Sequence, residues 1–278
     1  MQVLTGFGEI APLYDAFIVD IWGVLHDGVQ PYPGATDCLA RIKASGKRAV
    51  LLSNAPRRAW AAQAGMRAMG LADDLYDGIV TSGEATHMML RDRPEPWYQA
   101  LGHKIFHLGP ERDLSLFEGL DIELVPTPEA ADSVVNTGPD DHRNPTDITE
   151  FEPTLAACRA RGLKMLCANP DMVVVRGNLR ILCAGALAQR YAQMGGDVRS
   201  LGKPDGEIYK PVLAMAGVAK NRILAVGDGL ATDIAGARNA GVDSCWVLGG
   251  IHGADHDPGE TLARTGLAPV ARIPTFIW

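Results

Sequence analysis

Four short polar segments of the chain carry residue types that could perform chemistry together. The candidate residues are Asp20, Ser53, Asn54, Lys203, Asp228 and Asp233. Carboxylates suit a hard cation such as Mg²⁺, a lysine supplies a point charge for phosphate, and a serine hydroxyl beside backbone N–H groups can hold phosphate oxygens. A carboxylate that the metal does not occupy could attack phosphorus and form an aspartyl phosphate. These types therefore indicate phosphoryl chemistry, provided that the fold brings the segments together.

Asp20 stands inside an apolar run, residues 17–25, which predicts a fully buried strand of a parallel sheet. An ionised carboxylate is costly there unless it lies at the carboxyl end of the strand and meets a cation or hydrogen-bond donors. Gly23 would then allow a sharp exit from the strand. Taken alone, this stretch fits a salt-bridged aspartate without a chemical role equally well.

The chain around these segments alternates strand, turn and helix, which is typical of a doubly wound parallel sheet. We predict further core strands over 48–52, 222–226, 243–248 and 273–278, and core helices over 35–45, 56–69, 206–216 and 232–239. Each of the four polar segments falls at the end of a predicted core strand. Because such ends converge on one crevice, we expect the candidate residues to meet there.

The regular alternation of strand and helix is lost between the serine and lysine segments, where short strands alternate with Pro- and Asp-rich turns. Strands are predicted over 104–108, 122–125, 133–136 and 164–168, and helices over 147–161 and 182–194. We interpret residues 82–199 as an inserted α/β domain, and residues 1–81 with 200–278 as the core.

Composition narrows the class of protein. The chain has 278 residues, 47% of them hydrophobic, and a formal charge of −7, which argues against a nucleic-acid or anionic-membrane surface. No apolar run reaches membrane-spanning length and the N-terminus does not resemble a signal peptide, so we expect a cytoplasmic protein. The five scattered cysteines indicate buried free thiols rather than a metal cluster.

The four segments in order resemble the four motifs of haloacid-dehalogenase-type (HAD) phosphatases. They read Asp-x-x-Gly-Val-Leu from Asp20, Ser-Asn from Ser53, Gly-Lys-Pro around Lys203, and Gly-Asp-Gly-x-x-x-Asp ending at Asp233. The long insertion, with Asn169-Pro170-Asp171 near its end, is similar to class IIA members, which include p-nitrophenyl, phosphoglycolate, pyridoxal and sugar phosphatases and nucleotidases. The resemblance implies a Rossmann-like core with an inserted C2-type cap, and hydrolysis of a small phosphate ester with Mg²⁺.

The resemblance also implies roles for single residues. Asp20 would be the nucleophile and a Mg²⁺ ligand, with the backbone carbonyl of Trp22 and the carboxylate of Asp228 as further ligands. Ser53 and Lys203 would hold the phosphoryl group, and Lys203 would offset negative charge between Asp20 and the substrate.

Three further positions complete this assignment. Asp233 would be an additional metal-site acid, binding directly or through water, and Asn54 would orient its loop beside the phosphate. Asn169 and Asp171 would lie near the hinge between core and cap. Taken singly, Lys203 could be a solvated lysine, Asp233 a helix first-turn acid and Asn169-Pro170-Asp171 a plain turn.

One departure from the family pattern concerns proton transfer. Family phosphatases usually carry a second Asp two residues after the nucleophile, and here that position is Trp22, whose indole cannot exchange a proton. Losing a general acid–base costs ~10²–10⁴-fold in rate, so hydrolysis of alkyl phosphates should be slow unless another group substitutes. His26 and Asp27 in the following loop are the nearest candidates, although Asp27-Gly28 could equally be turn chemistry.

Two other interpretations stay open. The enzyme could be limited to good leaving groups, such as an aryl or acyl phosphate or a phosphonate. Alternatively, the chain could be a catalytically impaired phosphate-binding or regulatory protein. Some class IIA proteins pair through their caps, so a homodimer is compatible with the resemblance. His252, in a Gly-rich loop, is expected to be solvated, although this loop follows a predicted core strand and could touch the site.

Overall fold

A computed structural model describes residues 1–176, 179–251 and 258–278. Its strands are β1 (Gln2–Val3), β2 (Ala16–Val19), β3 (Arg48–Ser53), β4 (Gly78–Thr81), β5 (Lys104–Leu108), β6 (Glu123–Val125), β7 (Ser133–Asn136), β8 (Lys164–Cys167), β9 (Val173–Arg176), β10 (Leu179–Leu182), β11 (Asp197–Ser200), β12 (Ile223–Gly227), β13 (Asp243–Val247) and β14 (Ala271–Ile273). Its α-helices are α1 (Ala35–Ala44), α2 (Ala59–Ala68), α3 (Ser82–Asp92), α4 (Pro96–Gln99), α5 (Glu152–Ala160), α6 (Ala184–Gln193), α7 (Tyr209–Ala216), α8 (Ala235–Ala240) and α9 (Pro258–Ala263).

A seven-stranded parallel sheet forms the larger part of the molecule, in the order β1-β14-β13-β12-β2-β3-β4. Strand β2 lies inside it, between β12 and β3, and every one of its residues is buried. Phe17 and Val19 pack into the apolar cluster on one face, and Ala16 and Ile18 into the cluster on the other. A strand that is apolar on both faces is what a sheet covered on both sides requires.

Helices cover both faces of this sheet. Helices α1 and α2 bury Leu39, Ile42 and Met66 against one face, whereas α7 and α8 bury Val212 and Ala237 against the other. This is the doubly wound α/β arrangement predicted from the sequence, and that prediction is confirmed.

A second, five-stranded parallel sheet has the order β11-β8-β7-β5-β6. Helices α5 and α6 pack on one of its faces, and α3 and α4 on the other. Strands β9 and β10 pair only with each other, as an antiparallel hairpin. The sequence did not predict this hairpin.

Some element boundaries differ from the predictions. The strand predicted over 17–25 ends at Val19, and the chain then turns through Gly23, whose φ is +89°. The helix predicted over 232–239 begins as a π-helical turn, Leu230–Ile234, before α8. The last strand is Ala271–Ile273 rather than 273–278. Turns and irregular helices depend on tertiary contacts that periodicity does not encode.

The cysteines and helices bear on two other expectations. All five cysteines are free and buried, as the sequence indicated: Cys38, Cys158, Cys167, Cys183 and Cys245. Within the described ranges, the helices are too short or too polar to span a membrane.

Candidate active site

The carboxyl ends of three neighbouring strands of the large sheet carry the predicted polar residues. Asp20 follows β2, Ser53 ends β3, and Asp228 follows β12. Asp20 still donates its backbone N–H to Val226 O at 2.9 Å, so the nucleophile candidate is anchored to the end of the ladder. The parallel sheet therefore places these residues at one edge.

Lys203 connects two of the carboxylates. Its Nζ lies 2.5 Å from Asp20 Oδ1 and 2.7 Å from Asp233 Oδ1, and it donates to Leu52 O at 3.2 Å. All three charged side chains are buried, with 3% of Lys203 exposed. The site thus holds a desolvated ion-pair network, and removing one sign of charge from such a network is strongly destabilising because it leaves uncompensated buried charge.

The route by which Lys203 enters the site was predicted wrongly. We expected it at the end of a core strand, but it follows β11, an edge strand of the smaller sheet. Its backbone N–H donates to Asn54 Oδ1 at 2.7 Å, which fixes the segment against the loop after β3. The site is therefore built from both sheets.

The three acidic side chains have the donor type and spacing that a hard cation requires. Asp20, Asp228 and Asp233 each offer an oxygen, and these oxygens lie within 4.8 Å of one another. A set of carboxylate oxygens is the donor type that Mg²⁺ prefers. The residues present therefore fit the metal that the motifs implied.

Glycines leave room around Asp228. An added Cβ would lie 2.2 Å from Asp228 Oδ2 at Gly23 and 1.9 Å from it at Gly250. Ile251 donates its backbone N–H to the same oxygen at 2.6 Å. The loop after β13 therefore completes the site. His252, which we expected to be solvated but in a loop that could touch the site, lies outside the described residues.

Burial and mutual repulsion perturb the titration of these groups. Burial, with the Asp233 carboxylate, raises the pKa of Asp20 well above its usual range. The same two causes raise the pKa of Asp228 to about 7. Burial alone would lower the pKa of Lys203, but Asp20 and Asp233 outweigh it and raise that pKa well above its usual value. The cluster has excess negative charge, which a cation would offset.

Asn54 bridges the two sheets. Besides accepting from Lys203, it donates from Nδ2 to Asp171 Oδ1 at 2.7 Å. Asn169 Oδ1 accepts the backbone N–H of Asp171 at 3.0 Å, and burial raises the pKa of Asp171. The Asn169-Pro170-Asp171 turn therefore contacts the loop after β3.

Ser53 is also buried, and its Oγ accepts the backbone N–H of Ala55 at 3.1 Å. Sequence reasoning missed a neighbour of this loop, Arg57. Its Nε donates to the buried Asp113, which lies between β5 and β6, at 3.3 Å. The only signal in the sequence for this residue is its position, shortly after Ser53-Asn54.

The two candidates for proton transfer are held within their own loop. Asp27 Oδ1 accepts the backbone N–H groups of Val29 and Gln30, both at 2.8 Å, and the Gln30 bond is the main cause that lowers the pKa of Asp27. His26 Nδ1 accepts the Gly28 N–H at 3.0 Å, and burial lowers the pKa of His26 to about 4. His26 is therefore neutral at pH 7, and Asp27 caps a turn.

Comparisons with known proteins agree with this arrangement. A family model described as haloacid dehalogenase-like hydrolase matches residues 17–123, and one described as HAD-hydrolase-like matches residues 200–269. A haloacid dehalogenase-like hydrolase from Brucella suis is 36% identical, covers 99% of this chain and 100% of its own, and superposes with a TM-score of 0.84. The chain therefore belongs to the haloacid dehalogenase-like hydrolases.

Two phosphatases are more distant relatives of known structure. A p-nitrophenyl phosphatase from Archaeoglobus fulgidus is 25% identical over 94% of this chain and 96% of its own, with a TM-score of 0.72. A glycerol phosphate phosphatase from Mycobacterium tuberculosis, solved in complex with calcium, is 26% identical over 87% of this chain and 68% of its own, with a TM-score of 0.64. The class IIA resemblance indicated by the motifs and the insertion is confirmed.

Proposed function

We propose that the chain is a Mg²⁺-dependent phosphatase that hydrolyses a small phosphate ester, such as a sugar phosphate, a nucleotide or a phosphoglycolate-like compound, through an aspartyl phosphate on Asp20. The observation that carries this proposal is the buried contact of Lys203 with Asp20 at 2.5 Å inside a group of three carboxylates. The phosphatase names of the relatives, and the calcium bound by one of them, support it.

The proposed reaction has two displacements. In the first, an Asp20 oxygen attacks phosphorus and the bond from phosphorus to the ester oxygen breaks, so the leaving group departs with the electron pair and takes a proton from water. In the second, water attacks phosphorus, the bond to Asp20 breaks, and inorganic phosphate leaves while Asp20 returns as a carboxylate. Mg²⁺ would be held by Asp20, Asp228 and the Trp22 carbonyl, with Asp233 binding it directly or through water, and would supply charge neutralisation at the phosphoryl oxygens.

The other residues would bind and orient. Lys203 and Ser53 would hold the phosphoryl oxygens, and Lys203 would reduce repulsion between Asp20 and the anionic substrate. Asn54, which is hydrogen-bonded to both Lys203 and Asp171, would hold Ser53 and Lys203 in position relative to each other. Residues 82–199 would act as the cap that excludes water during the first step, with Asn169 and Asp171 near its hinge.

A narrower second candidate is a hydrolase limited to good leaving groups. It is favoured by the position of Trp22 two residues after Asp20, and by the bonds that hold His26 and Asp27 within their own loop. An aryl or acyl phosphate needs little protonation of its leaving oxygen, so the absent acid matters less there.

A panel of p-nitrophenyl phosphate, glycerol phosphate and a sugar phosphate, with Mg²⁺ or with EDTA, tests both candidates. Asp20→Asn should lower Mg²⁺-dependent turnover by roughly 10³-fold or more, as expected for a nucleophile. Asp15→Asn, at an exposed ion pair with Arg222 near the other end of β2, is the matched control and should keep wild-type turnover. Phosphate binding without Asp20-dependent turnover would instead support the impaired, regulatory interpretation.

A further inference from the structure

The indole of Trp22 reaches from the candidate active site to the β9–β10 hairpin. Its Nε1–H donates to the backbone oxygen of Val175 at 3.1 Å. Trp22 belongs to the turn that leaves β2 just after Asp20, whereas Val175 lies in β9, beyond the Asn169-Pro170-Asp171 turn. One hydrogen bond therefore joins the nucleophile's loop to a segment far along the chain.

The following loop fixes the orientation of the indole. An added Cβ at Gly28 would lie 2.0 Å from Trp22 Cη2, so the ring packs directly on the Gly28 backbone, whose φ is +84°. The His26 ring meets the indole edge-on, with centroids 5.5 Å apart at an angle of 75°. His26 Nδ1 in turn accepts the Gly28 N–H at 3.0 Å. These contacts form a socket that directs Nε1–H toward the hairpin.

In the part of the chain that the structure describes, the hairpin is hydrogen-bonded into neither of the two larger sheets. Strands β9 and β10 pair only with each other, and an isolated two-stranded hairpin is marginally stable in water. At its base, Cys183 N donates to Met172 O at 3.0 Å, and Leu182 N donates to Pro145 O at 2.8 Å. Val175 pairs with Arg180, nearer the turn than these bonds are. The Trp22 bond therefore holds a part of the hairpin that its base does not.

We propose that Trp22 is a positioning residue, whose indole N–H holds the β9–β10 hairpin against the loop that follows Asp20. The hairpin then stays over the site, so that substrate binds to a preformed cleft instead of ordering the hairpin on arrival. The contacts described above support the positioning role of Trp22 by themselves. Only the effect on substrate binding rests on the proposed function. Ordering a segment on binding weakens apparent affinity.

Hydrogen exchange of the described hairpin amides, 173–176 and 179–182, tests the contact without substrate or Mg²⁺. Trp22→Phe keeps a ring in the socket but removes the N–H donor, and Gly28→Ala displaces the ring. Each should speed exchange of the amides around Val175 by about fivefold, the weight of one ordinary hydrogen bond. Gly70→Ala is the control, because Gly70 has a φ of +89° but nothing within 4 Å of an added Cβ.

The double variant Trp22→Phe/Gly28→Ala should exchange no faster than the more affected single variant, because both changes break the same contact. With p-nitrophenyl phosphate as substrate, Gly28→Ala should lower kcat/KM through a rise in KM. The rise should be about fivefold, because this variant loses the same hydrogen bond between Trp22 and Val175. Unchanged exchange at the hairpin in Trp22→Phe, or fully additive effects in the double variant, would overturn the proposal. Faster exchange in a protein that hydrolyses no phosphate ester would overturn only the proposed function.

Discussion

Lys203→Met removes the positive charge that two buried carboxylates share, while keeping most of the volume of the side chain. Lys203 Nζ lies 2.5 Å from Asp20 and 2.7 Å from Asp233, and the side chain is 3% exposed. Breaking a buried ion pair from one side costs ~3–5 kcal/mol, because the remaining charges are left uncompensated. At roughly 2–4 °C per kcal/mol for a chain of this size class, we expect Tm in EDTA to fall by roughly 6–20 °C.

Two further measurements separate this electrostatic cause from lost packing. Asp233→Asn added to Lys203→Met should recover part of the lost stability, since one of the stranded charges is gone. The Lys203→Met penalty should also be smaller at pH 5 than at pH 8. Without the ammonium, the folded-state pKa of Asp20 rises further above its unfolded value, so the stability of Lys203→Met is lost as the pH rises through that interval.

Differential scanning fluorimetry with and without Mg²⁺ is the assay. A bound cation should restore more stability to Lys203→Met than to the wild type, because it replaces missing positive charge. Lys210→Met is the matched control, since Lys210 and its partner Glu207 are both about 70% exposed, and such pairs contribute little. A Lys203→Met protein that melts within 2 °C of the wild type in EDTA at pH 8 would refute the reasoning.

Three other predictions concern protons. Because the pKa of Asp228 is raised to about 7, the apparent Mg²⁺ affinity should fall by roughly tenfold per pH unit below 7, as titration calorimetry would measure. For the same reason, the stability of the metal-free protein should decrease as the pH rises from about 4 to 7, as thermal melts would measure. Trp22→Asp should raise turnover of glycerol phosphate by at least roughly tenfold relative to p-nitrophenyl phosphate, and equal changes on both substrates would show that the absent carboxylate does not limit the rate. His26→Gln combined with Asp27→Ala should lower turnover of p-nitrophenyl phosphate by less than tenfold, since both side chains are bonded within their loop, whereas a loss of ~10²–10⁴-fold would assign them the proton transfer.

Local pattern was sufficient for much of the large sheet. The apolar runs before Asp20 and before Asp228 could be predicted as strands, because a strand buried on both faces is continuously apolar. Their carboxyl ends coincide with the polar residues. Resemblance added the pairing of Lys203 with Asp20, which no spacing rule could supply.

What escaped prediction depends on contacts between distant segments. Lys203 arrives from the smaller sheet, and the Asn54–Asp171 bond joins residues far apart in the chain. The β9–β10 hairpin, which Trp22 contacts, has only a weak alternation of apolar and polar residues, and its position depends on contacts with other segments. Periodicity reports which face of an element is buried, but not which other element buries it.

The position of Lys203 after β11 bears on how the protein can assemble and be re-engineered. Lys203 follows β11, which pairs with β8 in the smaller sheet, so its ammonium reaches Asp20 and Asp233 from the end of a strand that is not part of the large sheet. The position of Lys203 therefore depends on the smaller sheet. An exchange of residues 82–199 for those of a relative would leave Lys203 in the chain, but it would replace β8 and most of β11. The new residues then have to return the chain to a place where Lys203 can still bond to Asn54 and Asp233.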